Sequence, residues 1–234
     1  IVATSLTACA RLADTVVSFA EQYGYDGVEI NWEGWSTAIA PATATSQVFN
    51  AFKNRMKGAT SSTANILMMA PAGSDLFKYE VDVVNDCFDI IALQEYFFTT
   101  SWNPNINSNA IWHISALHYR NDFPMNFEAG TIDTWGPKDW VERGYNKDLI
   151  GIGIPTYGIK NRNTVSSQQL YSGYVASGHS EITRSDIWNL YYTNGGVSSW
   201  DNQARMPSIT GQALSSRGTL FYGSDGVSAG DYFH

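Results

Sequence analysis

The chain has 234 residues, 44% hydrophobic and 15% charged, which is enough to bury a core and excludes a disordered or highly charged protein. Its net charge is −8 and its 14 Lys and Arg residues form no basic run, so nucleic acid and anionic membranes are poor candidate partners. No apolar run approaches the ~20 residues that a membrane-spanning helix needs. Without an initiator Met or a signal-peptide pattern, the chain is interpreted as a mature or trimmed product.

Helices and strands are predicted to alternate from the beginning of the chain. Apolar side chains at helical spacing predict a helix over 10–23, which Gly24 would stop. Residues 26–33 are predicted to form a strand, and residues 46–57 a second helix with Ser46 as its N-cap.

The alternation continues to residue 158. Apolar segments predict strands at 65–73, 88–98 and 149–158, and helical patterns cover 110–119 and 138–145. Strands that alternate with helices in this way indicate a parallel α/β sheet covered by helices.

The pattern changes after residue 158. Two stretches have helical spacing, at 166–177 and 180–196, and two others, at 196–207 and 218–226, are typical of short strands joined by turns. This region is therefore predicted to be an α+β insertion or a small subdomain.

Composition leaves two questions open. Aromatic residues make up 14% of the chain, which suits either a large aromatic core or a cleft lined by rings, as sugar-binding proteins have. Cys9 and Cys87 could form one disulfide or remain buried thiols, and neither has metal-ligand spacing. The histidines show no such spacing either, and no metal or cofactor is predicted.

The strand predicted at 26–33 has two chemically different faces, because side chains alternate along a strand. A parallel strand buried on both faces would be apolar on both. In a barrel, however, the inner face points to the axis and to the active-site mouth at the carboxyl ends of the strands. The alternative is an antiparallel strand with one solvated face. The apolar face carries Val28, Ile30 and Trp32, and the polar face carries Glu29, Asn31 and Glu33.

Residues 26–33, DGVEINWE, resemble the DGxDxDxE signature of family-18 glycoside hydrolases, the chitinases and their relatives. Further segments follow in that family's order: LMMAPAG, FDIIALQEYFF, LIGIGIPTYG, SDIWNLYYTNGG and WDNQARMP. The resemblance implies a (β/α)8 TIM barrel with an α+β insertion domain. The barrel portion would be 1–158 and the insertion-like region 159–234. Only the fourth to seventh barrel strands are identified, so the first three and the last are not seen.

The resemblance also implies roles for individual residues. Glu33 would be the general acid and base, and the nucleophile would be the carbonyl oxygen of the substrate's own N-acetyl group. Asn31 would orient that acetamido group, and Tyr96 would hydrogen-bond its carbonyl. The implied ligand is chitin or an N-acetylglucosamine oligosaccharide, outside the cell. The implied substrate-binding residues are Glu29, Gln94, Tyr157, Trp35 and Trp200, although the two tryptophans could equally be packing residues.

Three positions depart from the family pattern. Glu29 and Asn31 replace aspartates, and Phe97 stands where Asp or Asn is usual. Asn31 can still hydrogen-bond the acetamido group, but it adds no negative charge. Family-85 endo-β-N-acetylglucosaminidases carry a similar Asn-x-Glu pair and are active, and Gln94 resembles the plant-type branch. The alternatives are therefore a hydrolase, a chitinase-like lectin with little or no turnover, and a structural scaffold.

Overall fold

The computed structural model describes residues 5–32, 42–58, 62–96, 115, 118, 136–161, 179–192, 197–202, 206–210 and 232–233. The chain divides into two compact units, which are described separately. The first comprises Ile1–Gln94 and Trp135–Gly153, and the second comprises Glu95–Thr134 and Ile154–His234. The domain boundary expected after residue 158 stays a prediction.

Within the described residues, the first unit holds a sheet of four strands in the order β1-β2-β3-β4. Every neighbouring pair is parallel, with Val28 opposite Leu67 and Ile91 opposite Ile150. The parallel α/β sheet predicted from the sequence is therefore confirmed. The strands are β1 Gly27–Ile30, β2 Ile66–Met69, β3 Ile90–Gln94 and β4 Ile150–Gly153.

Four helices of the described ranges belong to the first unit, and none is long and apolar enough to cross a membrane. Two 3-10 turns, Gly73–Phe77 and Lys147–Leu149, complete its helical elements. The helices are α1 Leu6–Tyr23, α2 Ala42–Lys57, α3 Val81–Cys87 and α4 Pro137–Glu142.

Helix α1 shows how local residues define an element. The Ser5 side chain accepts a hydrogen bond from the Ala8 backbone N–H and caps the first turn. The helix therefore begins at Leu6, four residues before the predicted start. Gly24 has φ 73°, a left-handed conformation that glycine adopts without strain, and the Tyr25 N–H bonds the Ala20 carbonyl 2.9 Å away. The predicted end of the helix is confirmed.

Helix α2 corrects a prediction, because it begins at Ala42 and Ser46 is therefore inside it. The Ser46 hydroxyl lies 2.9 Å from the Ala42 carbonyl oxygen and 2.6 Å from Oε2 of Glu80, a residue close to α3. Serine is favoured both at caps and where its hydroxyl can bond the preceding turn. Its presence in the sequence did not distinguish the two positions.

The core of the first unit lies between the helices and the sheet. Val28, Ile30 and Trp32 pack against it, whereas Glu29 and Asn31 are exposed. The two-faced character predicted for β1 is confirmed for these residues. The largest fully buried apolar side chains are Trp140, Phe49, Met56, Leu67, Met69, Ile91 and Leu93.

The single strand predicted over 149–158 is wrong. β4 ends at Gly153, and a separate strand, β5 Tyr157–Asn161, pairs with the second unit's sheet instead. Pro155 lies between them, and proline has no N–H with which to continue a strand ladder.

Among its described residues the second unit holds a five-stranded antiparallel sheet in the order β6-β5-β9-β8-β7. The helix predicted over 180–196 is partly wrong, because its first residues belong to β6 and the helical part runs through Arg184–Asp186 and Ile187–Tyr192. The short strands predicted over 196–207 are confirmed. The remaining strands are β6 His179–Thr183, β7 Val197–Asp201, β8 Met206–Thr210 and β9 Tyr232–Phe233.

Some predicted elements lie outside the described residues. They are the helix over 166–177, the strand over 218–226 and, apart from residues 115 and 118, the helix over 110–119.

Candidate active site

Three residues of the first unit stand at the carboxyl ends of adjacent parallel strands. Asn31 directly follows β1, Ala70 directly follows β2, and Gln94 is the last residue of β3. Because the strands are parallel, their carboxyl ends form one edge of the sheet. Ligand sites in α/β proteins concentrate at this edge.

One side chain ties the three strand ends together. Nε2 of Gln94 donates to the Ala70 carbonyl oxygen at 2.7 Å and to Oδ1 of Asn31 at 3.1 Å. Ala70 is buried, Gln94 is half-buried and Asn31 is exposed. The Asn31 side chain is therefore exposed at the surface, while its oxygen Oδ1 is held by the hydrogen bond from Gln94.

Backbone hydrogen bonds continue beneath this arrangement. The Ala70 N–H donates to the Ile30 carbonyl at 3.2 Å, and the Gln94 N–H donates to the Pro71 carbonyl at 2.8 Å. Side chains on such strand ends are held more closely in place than side chains on loops.

The other predicted site residues are distributed over both units and the residues outside the described ranges. Glu29 is exposed and lies on the same face of β1 as Asn31. Tyr96 and Tyr157 belong to the second unit, where both are half-buried and their rings meet edge to face with centroids 6.4 Å apart. Trp200, on β7, is 53% exposed, which suits a ring that stacks on a sugar. Glu33, Trp35 and Phe97 lie outside the described residues.

An apolar cavity of about 350 Å³ borders β1 in the first unit. Its polar lining residues are Glu29 and Asn31, and its other lining residues are Trp32 and residues of α1, β1 and α2. A sugar needs several hydrogen-bonding partners, so this lining suits helix packing better than a saccharide. The apolar lining residues are Leu12, Val16, Val28, Ile30, Trp32, Val48 and Phe52.

Sequence reasoning missed Ala70. Its contribution is a backbone carbonyl, which every residue carries, so no residue type could have indicated it. Sequence reasoning also passed over Glu95, which is 1% exposed and whose backbone carbonyl accepts a hydrogen bond from the Ser115 hydroxyl.

In the part of the chain that the structure describes, no group of three or more His, Cys, Asp or Glu side chains could hold a metal ion.

Comparison with known proteins decides the family. The sequence profile described as "Glycosyl hydrolases family 18" matches residues 1–215. The chain belongs to this family. A probable endochitinase of Caenorhabditis elegans is 24% identical over 211 residues, which are 84% of this chain and 33% of that protein. The chain thus spans about a third of the length of this curated relative.

Solved structures of a chitinase and of a chitinase-like protein have a similar fold. An immunomodulatory active chitinase from Trichuris suis matches with a TM-score of 0.77 at 18% identity, covering 99% of this chain and 60% of that one. A chitinase-like agglutinin from Robinia pseudoacacia matches with a TM-score of 0.70 at 16% identity, covering 99% and 62%. Family and neighbours together imply a TIM-barrel type fold, of which β1 to β4 form a partial parallel sheet.

Proposed function

We propose that this family-18 chain acts in the hydrolysis of β-1,4-linked N-acetylglucosamine polymers, with retention of configuration by substrate assistance. The proposal rests on one hydrogen bond, from Gln94 to Asn31, at the carboxyl ends of the parallel strands. Asn31 stands two positions before Glu33 in the sequence. In this function β1 to β4 are the fourth to seventh barrel strands, and residues 159–234 are an insertion-like region. The protein acts outside the cell as a secreted protein.

In the proposed reaction the carbonyl oxygen of the acetamido group attacks the anomeric carbon. The bond from that carbon to the leaving oxygen breaks, and Glu33 gives the leaving oxygen its proton. Water then attacks the anomeric carbon, Glu33 takes a proton from the water, and the acetamido group is restored. This route differs from the usual scheme with two protein carboxylates.

The remaining predicted residues bind the substrate. Asn31 and Tyr96 contact the acetamido group, and aromatic rings stack on the sugars. The proposed substrate-binding residues are Glu29, Gln94, Tyr157, Trp35 and Trp200.

The second candidate is a lectin of the same fold that binds chito-oligosaccharides with little or no turnover. Two observations favour it: position 31 carries a neutral amide where the family signature has Asp, and one structural neighbour is named an agglutinin. Oriented charge at a catalytic site is worth about 3–4 kcal/mol per group, so the change at residue 31 matters to turnover. Retention of Glu33 favours the enzyme.

Hydrolysis of a fluorogenic chitobioside by wild type and by Glu33→Gln tests the proposal. Loss of the general acid should lower kcat by about 10²–10⁴-fold. Glu142→Gln is the matched control, since Glu142 is an exposed residue of α4 outside the proposed site. Titration with chitotetraose runs in parallel. Binding without turnover in wild type as well as in Glu33→Gln would favour the lectin. Neither binding nor turnover in wild type would contradict both functions.

A further inference from the structure

We propose that Gln94 is a positioning residue that fixes the Asn31 carboxamide with its oxygen toward Gln94 and its amide nitrogen toward the ligand. Position 31 then offers N–H donors to an acceptor atom of the acetamido group. The orientation follows from the first unit alone, and only the identity of the ligand rests on the proposed function.

The orientation follows from a short chain of donors and acceptors. The Ala70 carbonyl oxygen can only accept, so the Gln94 atom 2.7 Å from it is the amide nitrogen. The same nitrogen lies 3.1 Å from the Asn31 side chain. An amide nitrogen only donates, so the Asn31 atom that faces it is the oxygen. Nδ2 of Asn31 is left on the other branch of the amide.

The Gln94 amide cannot simply rotate by 180°. Rotation would place its oxygen against the Ala70 carbonyl oxygen, and two acceptors at hydrogen-bond distance repel each other. Ala70 is itself 8% exposed and held by its own N–H to Ile30, so it does not move aside. A backbone group that cannot change its polarity therefore determines the orientation of both side chains.

This polarity differs from the one implied by the family signature. The signature's Asp at this position accepts a hydrogen bond from the acetamido N–H. Asn31, held as described, donates instead, so its partner is an acceptor lone pair, such as that of the acetamido oxygen. A ligand whose ring nitrogen is already unprotonated offers the same kind of acceptor, whereas position 31 supplies no negative charge that would favour a cationic ring.

The orientation can be tested by measuring the pKa of the carboxyl group in an Asn31→Asp variant. If Gln94 presents its N–H group, that donor stabilises the ionised carboxylate and lowers the pKa of Asp at position 31 by about one unit. Glu29, on the same face of the strand, raises this pKa in every variant, so the difference between variants carries the test. NMR of the side-chain carboxyl carbon against pH measures it. Asn31→Asp combined with Gln94→Leu should have a pKa about one unit higher than Asn31→Asp alone, because the donor is gone. Asn31→Asp combined with Gln94→Glu should raise it, since two carboxylates then face each other.

A pKa in Asn31→Asp that Gln94→Leu leaves unchanged or lowers would overturn the inference. Chemical-shift dispersion in each variant shows whether the chain remains folded. In wild type, the Asn31 side-chain NH₂ should exchange with water faster than that of Gln94, which gives a second readout without substitution.

A ligand test addresses the donor role. Chitobiose-thiazoline has a neutral ring nitrogen that accepts hydrogen bonds, and wild type should bind it at least tenfold more tightly than Asn31→Asp at pH 8. The difference in affinity between the two proteins should become smaller as the pH falls. The ring nitrogen is then protonated and can donate a hydrogen bond to the Asp carboxylate. Tighter binding by Asn31→Asp at pH 8 would contradict the donor role. If neither protein binds this compound or chitotetraose, the proposed function fails, while the pKa measurement still decides the orientation.

Discussion

Gln94 and Asn31 are 63 positions apart in the sequence and are joined by a hydrogen bond of 3.1 Å across the end of β2. The bond links the carboxyl ends of β1 and β3, which do not pair directly. It also determines which atom of the Asn31 carboxamide faces Gln94. A substitution at Gln94 should therefore change the orientation of the Asn31 side chain.

The approach of β1 to β2 depends on Gly27. A Cβ added there would lie 2.1 Å from the Ile66 carbonyl oxygen, closer than real contacts permit. We expect Gly27→Ala to lower the free energy of unfolding by about 2–3 kcal/mol, because the strands must separate. Urea unfolding measures it. The control is Gly151→Ala on β4, where the nearest atom would be 4.0 Å away and the cost should stay below about 0.5 kcal/mol.

Asp89 joins α2 to the sheet. Its carboxylate accepts from the Leu67 backbone N–H at 2.8 Å and from Nζ of Lys57 at 2.7 Å. Asp89→Ala should cost about 1–3 kcal/mol, because the N–H of a buried residue loses its partner. Asp86→Ala is the control, since Asp86 makes only an exposed ion pair with Lys53 and should cost at most about 1 kcal/mol. Equal losses in urea unfolding would contradict the prediction.

Tyr145 should contribute to alkaline unfolding. Burial raises its pKa from 10.0 to about 12. The unfolded chain loses this proton near pH 10, so the contribution to the free energy of unfolding is fully present below pH 10 and is lost as pH rises toward 12. In Tyr145→Phe the free energy of unfolding should fall less steeply with pH. At pH 7 this variant should be less stable by about 1 kcal/mol, because it loses the hydrogen bond to the Leu76 carbonyl. Urea unfolding from pH 8 to 12 measures both effects.

Burial also raises the pKa of the Cys87 thiol, to about 11, which weakens stability between pH 9 and 11. Wild type and Tyr145→Phe share this loss of stability from Cys87. The difference between the two proteins above pH 10 therefore reports the contribution of Tyr145. An identical slope in the two proteins above pH 10 would argue against the role of Tyr145.

The two cysteines should be protected thiols. Cys9 and Cys87 are each 0% exposed, and both are present as thiols. Burial raises the pKa of both, which lowers the thiolate fraction that reacts. A thiol reagent at pH 8 should therefore label the folded chain slowly and label both sites in denaturant. A mass decrease of two hydrogens, reversed by a reductant, would instead show a disulfide.

Much of the first unit could be predicted from local patterns. Apolar spacing and Gly24 indicated α1. Alternation along β1 indicated that Glu29 and Asn31 lie on the face opposite to that of Val28 and Ile30. Such features depend on residues a few positions apart, so a sequence displays them directly. The start of α2 was misjudged because a serine suits both a cap and a helix interior.

The sequence by itself determined the family, the parallel α/β class and the polar face of β1, since periodicity and motif order carry that information. Only the tertiary structure decided that residues 149–158 divide between two sheets at Pro155, and that Gln94 reaches Asn31. Both depend on which distant strands become neighbours. The orientation of Asn31 rests on the Ala70 backbone carbonyl, a group that every residue carries and that folding alone brings into position.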